Sequence, residues 1–116
     1  MEKVISAIEG RILCLDDGKV HYTMKRMHLR RISEAQRRAV KIFLACREFG
    51  MTIVPSTVFR GFFATGSAGA LAMLHQLGDK GVLTLVKNDH PGALRYMLSE
   101  RFLELWNLTE TSNQQV

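Results

Sequence analysis

Ser33-Glu34-Ala35-Gln36 constrains this chain more than any other stretch, because it fixes where a helix must begin. A serine at the N-cap accepts from the backbone amide three residues on. A glutamine at that third position can reach back to the serine's own amide, so two orphan donors are satisfied at once. Ala35, Ala39, Val40, Phe43, Leu44, Cys46 and Phe49 then recur at helical spacing, and Gly50 is a suitable stop. The pattern predicts a helix over 34–49 whose polar face carries Arg37, Arg38, Lys41, Arg47 and Glu48.

On the N-terminal side, residues 11–24 read as a β-hairpin. Ile12 to Leu15 are apolar, Asp17-Gly18 is a turn dipeptide, and Val20, Tyr22 and Met24 alternate with Lys19, His21 and Thr23. Residues 3–9 fit a strand or a short helix equally well. On the C-terminal side, Met51–Val54 is short and apolar. Pro55 resets the chain, and Ser56 or Thr57 can cap a second helix over 57–64. Thr65-Gly66-Ser67 is a turn, with Ser67 capping a third helix whose Ala70, Leu71, Leu74 and Leu77 form one stripe. Gly78 to Gly81 ends that helix. A strand over 82–86, a turn over 88–92 and a returning strand over 93–98 make a second hairpin. Ser99 caps a last helix over 100–108, with Phe102, Leu103, Leu105 and Trp106 on its apolar side. The polar residues 109–116 have little to bury and read as a disordered tail.

Length and charge narrow the partners. A chain of 116 residues fits one domain. No apolar run reaches the roughly 18 residues of a membrane-spanning helix, and the acidic residues at the N-terminus do not suit a secretory signal. Cys14 and Cys46 each sit among apolar neighbours and read as buried free thiols of a cytoplasmic protein. The net charge is +5, and it is polarised: residues 1–60 carry +6 and residues 61–116 carry −1. Between 25 and 41, Lys25, Arg26, Arg30, Arg31, Arg37, Arg38 and Lys41 face the single acid Glu34. Such density repels itself unless a polyanion or solvent absorbs it, which points to nucleic acid.

The order helix, short strand, helix, turn, helix, hairpin over 33–98 resembles the winged helix-turn-helix superfamily of DNA-binding domains. The local match is Ser67 to Leu83, where Leu77, Gly78, Asp79, Lys80, Gly81 and Val82 are similar to that superfamily's passage from recognition helix into wing. The resemblance implies an α+β fold of three helices and a β-hairpin wing; residues 1–32 lie outside it and read as an N-terminal β-hairpin and basic arm, and a C-terminal helix closes a domain at 33–108. It also implies contacts with double-stranded DNA. Ser67, Ala68, Gly69, Ala72 and Gln76 would face the major groove, and Ser56, Thr57 and Arg60 the backbone. Lys87, Asn88, His90 and Arg95 would ride on the wing. A terminal helix in this position suits a homodimer.

Enzymatic patterns are missing from the sequence. His21, His28, His75 and His90 share no metal-ligand spacing with the cysteines, Gly61, Gly66 and Gly69 form no phosphate loop, and Asp16-Asp17 precedes a turn glycine. No metal or cofactor is expected. Phe59, Phe62 and Phe63 sit at near-helical spacing and read as core. The expectation is a small DNA-binding transcriptional regulator. The alternative is a protein-interaction adaptor, because Ala68, Ala72 and Met73 on the third helix suit protein contact better than base readout.

Overall fold

In the computed structural model the capping box is formed: Gln36 N donates to Ser33 Oγ at 3.1 Å, and Ser33 N donates to Gln36 Oε1 at 2.9 Å. The helix that follows, here α3 (Glu34–Glu48), is the centre of the molecule. The structure describes residues 2–86 and 94–114. Around α3 lie α1 (Glu2–Cys14), α2 (Asp17–Lys25), α4 (Ser56–Phe63), α5 (Gly66–Asp79) and α6 (Glu100–Gln114). Three short strands, β1 (Val54–Pro55), β2 (Leu83–Val86) and β3 (Arg95–Leu98), form an antiparallel sheet in the order β1-β3-β2. Leu83 faces Leu98 and Val86 faces Arg95 across β2 and β3, while Val54 faces Tyr96 across β1 and β3.

Two helix ends show why the chain turns where it does. After α3, Gly50 adopts φ +89°, Gly50 N donates to Arg47 O, and Met51 N reaches back to Cys46 O at 2.9 Å. After α5, Gly81 adopts φ +79°, Gly81 N donates to Gly78 O, and Val82 N reaches Leu77 O at 3.0 Å. Both are Schellman endings, which need a residue free to enter the left-handed region. The second delivers Val82 into the core beside Leu77 and starts β2.

The fold is mostly helical with one small three-stranded antiparallel sheet, which overturns the expected α+β fold class and, most plainly, its N-terminal β-hairpin. Residues 11–24 are not a β-hairpin: they belong to α1 and α2. Asp16 is the reason. Its carboxylate accepts from Lys19 N at 3.1 Å, so Asp17-Gly18 opens a helix in place of a hairpin turn. The buried residues then follow helical spacing, Ile8, Ile12 and Leu15 before the cap and Val20, Thr23 and Met24 after it. Tyr22, expected inward on a strand, is exposed. The buried Thr23 hydroxyl donates to Lys19 O at 2.8 Å. α1 lies along α3, and α2 lies along α6.

Other expectations shift less. Ser33 and Ser99 are caps, the latter accepting from Phe102 N at 3.1 Å. Ser56 and Ser67 are not. Pro55 is the N-cap of α4, and α5 begins at Gly66 with Thr65 as its N-cap, neither making a side-chain cap bond. The last helix continues past Leu108 to Gln114, into the stretch read as a tail. Cys46 is buried as expected, whereas Cys14 is exposed because α1 turns it away from the Ile8–Ile12 stripe. The core centres on α3 and α4, with the Phe43 and Phe59 rings 5.5 Å apart and Phe59 and Phe63 stacked at 4.9 Å. Phe62 is buried with them. The expected turn at 88–92, with Lys87, Asn88 and His90, lies outside the described residues.

Candidate nucleic-acid interface

The basic stretch divides into two groups once it is folded. Arg37, Arg38 and Lys41 lie on α3, which is packed on several sides, so all three are half-buried and occupied. Lys41 Nζ lies 2.6 Å from Asp17 Oδ1, and Arg37 Nε lies 3.0 Å from the same oxygen. Arg37 also donates to Ile32 O, and Arg38 donates to Phe62 O at 3.0 Å. These cations tie α3 to α2, to the loop before it and to the end of α4. The bond from Lys41, joined by that from Arg37, holds the Asp17 carboxyl below the usual carboxylate range.

Lys25, Arg26, Arg30 and Arg31 form the second group, and all are exposed. Arg26 lies 5.9 Å from the Tyr22 ring centroid. Among the described residues, Lys25, Arg30 and Arg31 have no ion pair. Arg30 and Arg31 belong to the loop joining α2 to α3. His28 in that loop adopts φ +66°, a left-handed conformation in which histidine is one of the better tolerated side chains. Buried Leu29 anchors the loop to the core.

The loop meets the C-terminal half of α5. His28, Arg30, Arg31, Gln36, Gln76 and Lys80, with Leu29 as floor, line an open groove of about 490 Å³. Among the described residues no carboxylate lines it; Glu34 and Asp79, near groove residues in sequence, are exposed. Gln76 was expected at the DNA and Arg30 and Arg31 in a basic arm, so the fold brings together residues from two separately read segments. His28 and Lys80 were missed. The signal for Lys80 was its place immediately before the Schellman glycine, which fixes it at the exposed end of α5.

On the rest of α5, Ser67, Ala68, Gly69 and Ala72 are exposed, as is Gln76. Arg60 Nη1 donates to Ser67 Oγ at 2.8 Å, linking α4 and α5 across their turn. Tyr96 Oη lies 3.3 Å from His75 Nδ1 and ties α5 to the sheet. Arg95 is exposed on β3. Ser56 is half-buried, with its amide donating to Leu94 O. Thr57 does not join the others; it lines an apolar groove with Val4, Ile5 and Phe62 between α1 and α4.

Among the described residues, no three His, Cys, Asp or Glu side chains gather as metal ligands, and no helix is long and apolar enough to cross a membrane. No protein-family model matches the chain, and no curated protein or solved structure is similar enough to match. The functional reading therefore rests on these residues alone.

Proposed function

We propose that this chain is a non-enzymatic, cytoplasmic protein that binds double-stranded DNA, of the kind that serves as a small transcriptional regulator. In this reading residues 33–98 act as a winged helix-turn-helix unit. Support comes from the order α3, β1, α4, α5, β2, β3, with β3 pairing on both sides. The observation that carries the function is the groove in which Arg30, Arg31 and Lys80 stand beside Gln76 of α5 with no acid among the described lining residues. An unpaired cluster of cations beside an exposed helix face suits a phosphate backbone next to a groove-facing helix.

The small residues Ser67, Ala68, Gly69 and Ala72 let α5 approach closely and contact thymine methyls, while Gln76 can pair bidentately with adenine. Most of the affinity is then electrostatic. Binding of a random-sequence duplex, followed by fluorescence anisotropy across a salt series, tests this. Combined alanine replacement of Arg30, Arg31 and Lys80 is expected to lower the log–log salt slope by about three. An unchanged slope refutes the assignment of these cations.

The exposed Leu71 beside Ala68 and Ala72 favours one second reading, a protein-interaction adaptor using the same helix. Absence of duplex binding at low salt, with a stable protein complex recovered from the host, selects that reading.

A further inference from the structure

The groove that meets α5 contains one buried polar group with an unused donor. Gln36 is 4% exposed and lines the groove. Its Oε1 is committed to Ser33 N, which fixes the carboxamide plane and leaves Nε2 on the other side. Nε2 has no hydrogen-bond partner among the described residues. Yet no described side-chain nitrogen or oxygen is both sealed from solvent and unpartnered. The amide nitrogen is therefore open to solvent, on a residue that lines the groove. Held by the Ser33 bond and standing among Arg30, Arg31 and Lys80, this donor is placed to meet an anion that enters the groove.

We propose that this groove is a seat for a phosphoryl anion, with Gln36 Nε2 as its fixed donor and Arg30, Arg31 and Lys80 as its cations. The site lies at the first turn of α3, where the positive end of the helix adds to the attraction. The inference rests on the DNA-binding reading for its ligand: the phosphate is one of the duplex backbone, gripped beside α5. The same chemistry would hold a free phosphate ion, and the two sources are separable by experiment.

Gln36→Glu is the informative variant. A glutamate at this helix position keeps the acceptor for Ser33 N, so the capping box and the melting temperature are retained, but the donor becomes a negative charge. Arg101→Ala on α6 changes the net charge equally and is the control. Duplex binding is expected to weaken about tenfold more in Gln36→Glu than in the control, as the loss of one charge-assisted hydrogen bond requires. Titration of the wild-type chain with inorganic phosphate is expected to shift the Gln36 side-chain amide resonances in NMR spectra. Should Gln36→Glu melt early, the double variant Arg31→Ala/Lys80→Ala, which leaves the cap intact, takes its place, with Lys3→Ala/Arg101→Ala as the control of equal charge.

If the duplex binds the wild type tightly and these variants match the control, the seat is wrong and the DNA reading stands. If no duplex binds but phosphate moves the Gln36 amide of the wild type and Arg31→Ala/Lys80→Ala abolishes that shift, the seat stands with a free phosphate as its source, and the DNA reading falls. If neither ligand has an effect, both fall.

Discussion

The Asp17 carboxylate accepts from the Lys41 ammonium at 2.6 Å, joining the first turn of α2 to the middle of α3. Arg37 reaches the same oxygen, so one acid neutralises part of a stretch that reads as uniformly basic. The contact matters for function because it removes two cations from the set open to a polyanion. It matters for folding because it fixes α2, which the sequence does not clearly mark as a helix.

The pH dependence follows from the sign of the Asp17 shift. Its folded carboxyl lies below the ordinary value, so its contribution to stability is present above an unfolded pKa of about 4 and is lost as pH falls through the folded value. The side chain is half-exposed, so the contribution is at most about 1 kcal/mol. Urea unfolding of wild type and Asp17→Asn is expected to show that gap at pH 7, with the two converging as the solution is acidified. High salt is expected to narrow it as well.

Arg38 supports the end of α4 through the Phe62 carbonyl. Arg38→Ala is expected to lower stability by about 1–2 kcal/mol, because a carbonyl beside the core loses a charged donor. Its effect on DNA binding is expected to be small beside that of Lys80→Ala. Thermal melting and anisotropy on the same variants separate the two roles.

Two left-handed helix ends carry opposite substitutions. Ala64 closes α4 at φ +62°, a conformation that burdens a residue with a Cβ, and Gly81 closes α5 at φ +79°. Ala64→Gly is expected to stabilise the chain and Gly81→Ala to destabilise it, each by about 1 kcal/mol. On a chain of this size that is a change of about 4 °C in melting temperature, in opposite directions.

The two cysteines differ in reactivity. Burial pushes the Cys46 thiol up to about 11, whereas Cys14 is exposed on α1. Only the thiolate reacts, so an aromatic disulfide reagent is expected to titrate Cys14 alone in the native protein and both thiols in denaturant. Fast reaction of both without denaturant would contradict the burial of Cys46.

What the sequence carried by itself was local. The start of α3 lies within Ser33–Gln36 and its stop in Gly50; the stop of α5 lies in Lys80-Gly81. Each such signal is a hydrogen bond or a backbone angle set by residues a few positions apart, so no distant contact is needed to read it. The N-terminal helices were not legible in this way. Val20, Tyr22 and Met24 fit an alternating strand, Val20 and Met24 fit a helix, and Asp16-Asp17-Gly18 serves either as a turn or as a cap. Burial of Ile8 and Ile12 against α3, and of Val20 and Met24 in the same core, decides between them. The division of the basic residues was equally out of reach. Whether an arginine is paired depends on an acid such as Asp17, twenty positions from Arg37 in the chain. Only the tertiary structure sets that distance, and with it the cations left at the Gln36 groove.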